Sequence, residues 1–315
     1  MKISNIIANG KERYPANIFN HKKNRSITLV VFTVLLWSFL AVLTTKLVHI
    51  PPFLQVGITL TLAGIYNIPF IKSWKVPPTT LAVGTLGIFG NLFFYYSAFK
   101  LAPPIEVNII NYIWPTLIVV LSPLFIKGYR LRFWNMLGVI ICLAGTFLII
   151  SGGKTSFSNQ CLPGYLSAFL GALVWAVYSL QIKRMPAFHF GAVGGFSLLS
   201  GVLGLLVYAI QRFNGLPATH IGPYDWLFLI LLSLGPIAIA NLTWKLAIED
   251  GDPGIIGSLS YFIPLFSTIN LALFAGQQIT IINIVAMALI LVGALVAGME
   301  TLKRAHNHFQ TIKNK

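Results

Sequence analysis

A stripe of hydrogen-bonding side chains crosses one apolar stretch of this chain. The spacing i, i+3, i+4 and i+7, which marks one face of a helix, is met by Asn108, Asn111, Tyr112 and Pro115. Amide and phenol groups can bind a polar solute through hydrogen bonds. Because a polar amide facing lipid is costly, we expect the stripe to face the bundle interior or a water-filled cavity. The alternative is that these groups hydrogen-bond a neighbouring helix and only hold the bundle together.

The same stripe recurs 149 positions later, in Gly257, Ser260, Tyr261 and Pro264. Other positions match at nearly the same shift: Ala98 with Ala247, Phe125 with Phe274, Asn135 with Asn283, and Gly145 with Gly293. A fixed shift over half the chain indicates a duplicated unit. Pro115 and Pro264 each remove a backbone hydrogen bond, so the sequence predicts kinks at matched depths in the two halves. These kinks would either open a vestibule or serve only the packing of the helices.

The elements that must position these side chains are membrane-spanning helices. The chain is 56% hydrophobic and only 9% charged over 315 residues, outside the range of soluble domains. A helix needs about 20 apolar residues to cross a hydrocarbon core of roughly 30 Å. Apolar runs predict ten spans, at 27–47, 54–72, 79–101, 104–126, 133–151, 163–183, 189–211, 225–248, 253–275 and 280–299. The expected fold is all-α, and the second span is the weakest, since Gln55, Asn67 and Pro69 interrupt it.

Basic residues divide unequally between the two sides of the membrane. With the N-terminus in the cytoplasm, seventeen Lys and Arg residues fall in cytoplasmic segments and four on the opposite side. This asymmetry is the positive-inside pattern, so the net charge of +15 reports topology and indicates no nucleic-acid partner. Both termini are therefore predicted to be cytoplasmic.

Five helices in each repeat place the second half in the membrane with the opposite orientation. Trp37 in the first span matches Trp175 in the sixth, and Lys46 matches Arg184. The expected organisation is a basic tail over 1–26, five-helix repeats over 27–151 and 163–299, and a basic tail over 300–315. Inverted repeats are typical of transporters that expose a midplane site to each side in turn.

Three tryptophans lie near mid-helix, where an interfacial aromatic belt does not explain them: Trp37, Trp114 and Trp175. They are either bulky packing residues or faces on which a planar or cationic ligand stacks. Asn91 and Tyr95 in the third span, and Tyr178 beside Trp175, would enlarge the same aromatic wall. A midplane cavity with walls of Trp, Tyr and Asn suits a small amphipathic solute.

The run Ile105-Glu-Val-Asn-Ile-Ile-Asn-Tyr-Ile-Trp-Pro115 resembles the fourth-helix motif of the bacterial aromatic amino acid exporters, in the EamA branch of the drug/metabolite transporter superfamily. Leu166 to Tyr178 resembles their sixth helix, and Gly257 to Pro264 their ninth. The resemblance implies substrate binding by aromatic residues, carried here by Tyr95, Tyr112, Trp114 and Trp175. It also implies export across the bacterial inner membrane, although carriers of other metabolites share the fold.

Two charged residues have alternative roles. Trp244-Lys245 stands where the family has Trp-Asn. The ammonium of Lys245 could attract a substrate carboxylate or exclude a cationic solute, or it could snorkel to the headgroups. Glu106 lies in the first turn of the fourth helix, where a carboxylate complements the helix dipole. Its alternative role is in proton coupling or in binding a substrate amine.

Patterns for catalysis and metal binding are missing from the sequence. It has no His-Glu-x-x-His and no Gly-x-Ser-x-Gly, and its histidines are not spaced to hold a metal. We therefore predict no catalytic residue, no metal and no cofactor, and we expect the two cysteines to be unpaired.

The expected function is an inner-membrane transporter that exports small amphipathic metabolites, foremost aromatic or other large amino acids, by alternating access. Its partners would be that small-molecule substrate and the lipid bilayer, with protons as a candidate coupling ion. The alternatives are a carrier of an anionic, nucleotide-like or S-adenosylmethionine-like solute and, more remotely, an intramembrane enzyme.

Overall fold

The computed structural model describes residues 16–126, 130–151, 160–182, 184–186, 188–250, 259–260 and 262–313, and every regular element among them is helical. The first part of the chain forms α1 (Ala16–Ser38), α2 (Leu40–Lys46), α3 (Pro52–Tyr66), α4 (Pro78–Leu101), α5 (Pro104–Asn111), α6 (Trp114–Phe125) and α7 (Phe133–Ser151). The second part forms α8 (Leu162–Ile182), α9 (Ala192–Phe213), α10 (Pro223–Leu232), α11 (Ala240–Asp250), α12 (Phe262–Ala275) and α13 (Ile281–Lys313). A 3-10 segment, Ile68–Trp74, follows α3, and a π-helical segment, Ser233–Ile239, joins α10 to α11.

Several of these helical stretches have the length and composition of membrane spans. Six stretches in the described part are long and apolar enough to cross a membrane, and the bent pair of α3 and the 3-10 segment would make a seventh. α7, α12 and the first part of α13 are shorter apolar helices. The chain is therefore an all-helical multi-pass membrane protein, while the number of ten spans stays a prediction.

The second predicted span, 54–72, is not one straight helix. α3 ends at Tyr66, and the 3-10 segment leaves it at an angle of 89°. Pro69 explains the break, because proline has no N–H to donate and disfavours helical backbone in the residue before it. Asn67 closes the end of α3 by donating its Nδ2 to the carbonyl of Ala63 at 2.9 Å.

The first predicted span is also interrupted, between Ser38 and Leu40. The Ser38 hydroxyl donates to the carbonyl of Leu35 at 2.7 Å, a local bond that competes with the helical ladder. Asn270 of α12 donates its Nδ2 to the same hydroxyl at 2.9 Å. A polar side chain of a neighbouring helix therefore covers this irregularity.

Long antiparallel or crossing pairs form the frame of the bundle: α7 with α13, α3 with α9, α4 with α8, and α1 with α11. Small residues let these backbones approach closely. Gly138 of α7 faces Gly293 of α13, and Gly201 of α9 faces Thr61 of α3. Such close contacts matter in a bilayer, because helix association there depends on packing and hydrogen bonds more than on the hydrophobic effect.

Two positions that match between the repeats have the same structural role. Asn135 accepts a hydrogen bond at its Oδ1 from the backbone N–H of Arg132, at 2.8 Å. Asn283 accepts one in the same way from the backbone N–H of Thr280, at 2.9 Å. Each amide therefore satisfies a free N–H at the start of its helix, α7 in one case and α13 in the other.

Two helices extend beyond the predicted spans into the basic tails. α1 begins at Ala16, and α13 continues through its 33 residues to Lys313. A helix of this length measures about 50 Å at 1.5 Å per residue, longer than a hydrocarbon core of roughly 30 Å. Residues 26 and 300, which bound the predicted tails, are therefore not helix ends. Lys, Arg and Gln are good helix formers, so the hydrogen-bond ladder can continue past the apolar region.

The glycine crossing of α7 and α13 gives a test of the fold. Gly138→Ala should lower the stability by about 1–3 kcal/mol, because the new Cβ would overlap the backbone of α13 at Gly293 and Ala297. Gly235→Ala is the matched control, since its Cβ would meet only the side chain of Leu36, at 3.7 Å. Thermal unfolding of the detergent-purified proteins measures both. A Gly138→Ala protein as stable as the Gly235→Ala protein would contradict the close crossing.

Candidate functional site

The helix that carries the Asn-Tyr-Ile-Trp-Pro motif is broken within that motif. α5 ends at Asn111 and α6 begins at Trp114. Between them, the N–H of Tyr112 bonds the carbonyl of Ile109 at 3.1 Å, a turn tighter than an α-helix. Pro115 lies in the first turn of α6, and because it has no N–H, the carbonyl of Asn111 loses its usual helical partner. The break thus leaves a backbone carbonyl without its helical partner at the depth of the predicted stripe.

Four polar residues, which we call the amide cluster, lie where α5 packs against α12: Asn108, Asn111, Ser267 and Thr268. The Ser267 hydroxyl donates to Oδ1 of Asn108 at 3.2 Å. In the described part of the chain no hydrogen-bond partner reaches three buried atoms of the cluster: Nδ2 of Asn108, Oδ1 of Asn111 and Oγ1 of Thr268. A buried polar atom left unpaired costs about 1–3 kcal/mol, so these atoms are available to a polar solute.

Tyr112 connects this cluster to an aromatic pair. Tyr112, Trp37 and Trp244 pack against one small buried group, formed by Val30, Val34, Ala247 and Ile263. Tyr112 also packs against the main core, which contains the buried Tyr95 of α4. The Tyr95 ring in turn contacts Phe99, with ring centroids 4.8 Å apart.

The Trp37–Trp244 pair joins α1 to α11. The two ring centroids are 5.2 Å apart, and the rings are inclined at 48°. The indole N–H of Trp37 donates to the carbonyl of Pro236 in the π-helical segment, at 3.0 Å. Trp37 is therefore held at both its ring face and its polar edge, which fixes its orientation.

A second aromatic pair is formed on α8 by Trp175 and Tyr178, with ring centroids 5.4 Å apart. The Tyr178 ring lies against Gly87 of α4, where any larger residue would overlap it. Trp114 belongs to neither pair, because it packs with Cys142, Ala172 and Ala294. The single aromatic wall expected from the sequence is thus divided into separate groups.

Two predicted site residues have partners on α8. Asn91 donates its Nδ2 to the carbonyl of Gly171 at 3.0 Å. The hydroxyl of Tyr165 donates to Oε2 of Glu106 in the first turn of α5. Both groups therefore connect α8 to helices of the first part of the chain, which is the linking role that polar side chains often have between membrane helices.

The second stripe is described only in part. Pro264 is buried in the first turn of α12. Gly257 and Tyr261 lie outside the described residues, as does the side chain of Lys245, so the roles of Tyr261 and Lys245 stay predictions. Ser267 and Thr268 were not predicted as site residues. They continue the stripe one helical turn beyond Pro264, so the 3.6-residue period contained the signal.

Cysteine and metal chemistry add little to this site. Cys142 and Cys161 are both free, and the buried thiol of Cys142 lies 3.0 Å from the hydroxyl of Thr116. Within the ranges that the structure describes, no three His, Cys, Asp or Glu side chains form a group that could hold a metal ion. The described polar atoms of the amide cluster are amides and hydroxyls, which suit the binding of a solute.

A multi-pass helical bundle with a broken helix and unpaired polar atoms deep inside it is typical of membrane carriers, whose sites lie at discontinuous helices. The profile of the EamA-like transporter family matches the chain twice, over residues 24–151 and 162–299. The chain belongs to this family and is a membrane transporter.

Individual relatives cover most of the chain. The aromatic amino acid exporter YddG of Ancylobacter novellus is 36% identical over 284 residues, which are 87% of this chain and 97% of the relative. The protein of the same name from Salmonella typhimurium is 27% identical over 64% of this chain and 69% of its own. A solved crystal structure with 34% identity covers 88% of this chain and 97% of that chain, with a TM-score of 0.64.

Because Nδ2 of Asn108 has no described partner, we expect a substitution at Asn108 to affect transport more than stability. Asn108→Leu should leave the thermal stability nearly unchanged, because the gain from removing a buried donor without a partner offsets the loss of the acceptor used by the Ser267 hydroxyl. The same change should abolish transport. Asn135→Leu is the matched control, since Asn135 uses both its amide atoms and should lose about 1–3 kcal/mol of stability. A large loss of stability in Asn108→Leu would show that the amide is structural.

Proposed function

We propose that the protein exports aromatic or other large amino acids by alternating access to a site at the break between α5 and α6. The observation that carries the proposal is the similarity to a protein named as an aromatic amino acid exporter, across 97% of that protein's length. The arrangement of aromatic and amide side chains around the break supports the same substrate class.

The chemistry of the site fits an amphipathic, zwitterionic solute. Nδ2 of Asn108 would donate to the substrate carboxylate, and Oδ1 of Asn111 would accept from its ammonium group. Tyr112 lies between this polar end and the Trp37–Trp244 pair, so an apolar or aromatic substrate side chain would extend along the rings. None of the four residues of the amide cluster is charged, which favours a solute without net charge over an anionic one.

The remaining aromatic residues belong to the proposed site on other grounds. Trp175 corresponds to Trp37 in the repeat, and it forms its own pair with Tyr178. Tyr95 and Trp114 are included because they match aromatic positions in the exporters' motifs, and Tyr261 because it matches Tyr112 in the repeat. Movement of α6 and α8 relative to α5 would bring these groups to the substrate in turn.

We further propose that the transporter consists of two inverted five-helix halves. The double match of the family profile supports two equivalent units. The helix contacts support the inversion, because several contacts between the halves have a counterpart after exchange of the halves. The contact of α4 with α8 corresponds to that of α11 with α1. The contact of α6 with α8 corresponds to that of α12 with α1. The contact of α4 with α9 corresponds to that of the π-helical segment with α3. A twofold axis in the membrane plane would produce this pattern.

The proposed orientation places both termini in the cytoplasm of a bacterium, with the chain in the inner membrane. It rests on the seventeen basic residues on one side against four on the other. The basic extensions of α1 and α13 would then both lie on the cytoplasmic side. Substrate would enter from that side and leave on the opposite one.

Substitution of Trp175 tests the substrate class. Trp175→Ala should weaken the apparent affinity for tryptophan and phenylalanine roughly 5- to 150-fold, since lost aromatic contacts are worth about 1–3 kcal/mol. The matched control is Trp134→Ala, because Trp134 is exposed at the start of α7. This variant should leave the affinity unchanged. Flux of labelled amino acids in proteoliposomes measures both. If the wild-type protein carried an anionic, nucleotide-like or S-adenosylmethionine-like solute but no amino acid, the proposed substrate class would be wrong.

Site-directed labelling tests the orientation. Ala218→Cys, in the segment between α9 and α10, should react in intact cells with a thiol reagent that cannot cross the inner membrane. Thr79→Cys, at the start of α4, should react only after lysis. Both residues are exposed, and each would be introduced together with Cys161→Ser. The opposite labelling pattern would invert the proposed topology.

A further inference from the structure

A second polar space lies away from the amide cluster, between α3, α9 and the junction of the π-helical segment with α11. It has a volume of about 50 Å³ and is lined by polar side chains of Asn67, Ser197 and Asn241 and by apolar residues that include Ile237 and Ala238. One water molecule needs about 10–15 Å³ by this measure, so the space holds a few waters or one partly hydrated ion. None of the predicted site residues lines it.

The two amides present their oxygen atoms to this cavity. Asn67 donates its Nδ2 to the carbonyl of Ala63 at 2.9 Å, and Asn241 donates its Nδ2 to the carbonyl of Ile237 at 2.5 Å. A carbonyl can only accept, so these bonds fix which amide atom is nitrogen and leave each Oδ1 free to accept. Among the described residues neither Oδ1 atom has a hydrogen-bond partner, and the same holds for the hydroxyl of the buried Ser197.

The backbone adds negative potential at the same place. α3 ends at Tyr66, with Asn67 as its C-cap, so the carbonyl end of a helix dipole lies beside the cavity. The π-helical segment contributes Ile237 and Ala238 to the wall. The described lining residues include no charged side chain.

The cavity offers an anion no charged donor, since its remaining donors are the second N–H of each amide and the hydroxyl of Ser197. The first N–H groups of α9 already bond carbonyl groups at 3.0 Å: Ala192 to His189, Val193 to Phe190, and Gly194 to Gly191. Divalent cations such as Ca²⁺ and Mg²⁺ are usually bound through carboxylates, which this lining lacks. Neutral oxygen atoms at a helix carbonyl end are the ligands used for monovalent cations in membrane carriers.

We propose that this cavity binds a monovalent alkali cation, Na⁺ or K⁺, through the side-chain oxygen atoms of Asn67, Ser197 and Asn241 together with water. The three ligands come from the end of α3, from α9 and from α11, so the bound cation holds these helices together. Binding is independent of the transported solute and does not rest on the proposed substrate.

The test is a cation titration of the purified, full-length protein without substrate. The apparent melting temperature is followed as NaCl or KCl replaces choline chloride at constant ionic strength. We expect a saturable rise with at least one of the two cations and none with choline, and the cation that saturates first identifies the preferred ion.

Substitutions in the cavity lining test whether the rise in melting temperature comes from a cation bound in this cavity. Asn241→Ala and Ser197→Ala should each raise the half-saturating cation concentration about tenfold, the effect of losing roughly 1.4 kcal/mol of binding free energy. Asn214→Ala, an exposed amide after α9, is the control and should titrate like the wild type. The readout is the cation-dependent increment, so a general loss of stability in a variant does not obscure it. Identical curves in NaCl, KCl and choline chloride would show that the cavity holds only water, and unchanged half-saturation in both variants would place the ion elsewhere.

Discussion

The constraint on which this structure depends is that hydrocarbon offers no hydrogen bonds to the backbone. An unpaired N–H or C=O group costs several kcal/mol in a bilayer, so a helix can be interrupted only where other groups replace the missing bonds. The chain meets this condition with side chains of neighbouring helices. Asn270 bonds Ser38 at the end of α1, and Trp37 bonds the carbonyl of Pro236 in the π-helical segment. These two interruptions each fix a contact between two helices.

The π-helical segment shows how such interruptions connect distant parts of the molecule. The carbonyl of Pro236 accepts from Trp37, which belongs to the aromatic pair, and the next carbonyl, that of Ile237, accepts from Asn241, which lines the small polar cavity. A π-helix closes each hydrogen-bonded turn over one residue more than an α-helix does. A change between the two hydrogen-bond patterns in this segment would therefore move both carbonyls together. The Trp37–Trp244 pair and the small polar cavity therefore share the π-helical segment. A movement of this segment caused at one of them would displace the other.

The helix interruptions and caps could largely be predicted from single stretches of sequence. The contacts between helices depend on pairings between distant stretches. Pro115 and its neighbours predict a break because proline acts on its own backbone. The match of Asn135 with Asn283 predicts a shared role because the two positions have the same local setting. The bond from Trp37 to Pro236 joins residues 199 positions apart, and the bond from Asn91 to Gly171 joins residues 80 apart. No periodicity contains that information, since it arises only when the helices pack.

The amide cluster presents a different problem, because the structure retains polar atoms that its own packing does not satisfy. Asn108 is 1% exposed, and its described partner is Ser267, at 3.2 Å. In the proposed transport cycle, a solute would reach this amide through a separation of α5 and α12, which a single long hydrogen bond between neutral groups opposes weakly. The unpaired atoms of Asn108, Asn111 and Thr268 would favour such a separation, because it would let them bond water or solute. The polar stripe that destabilises the closed contact would then be the feature that permits it to open.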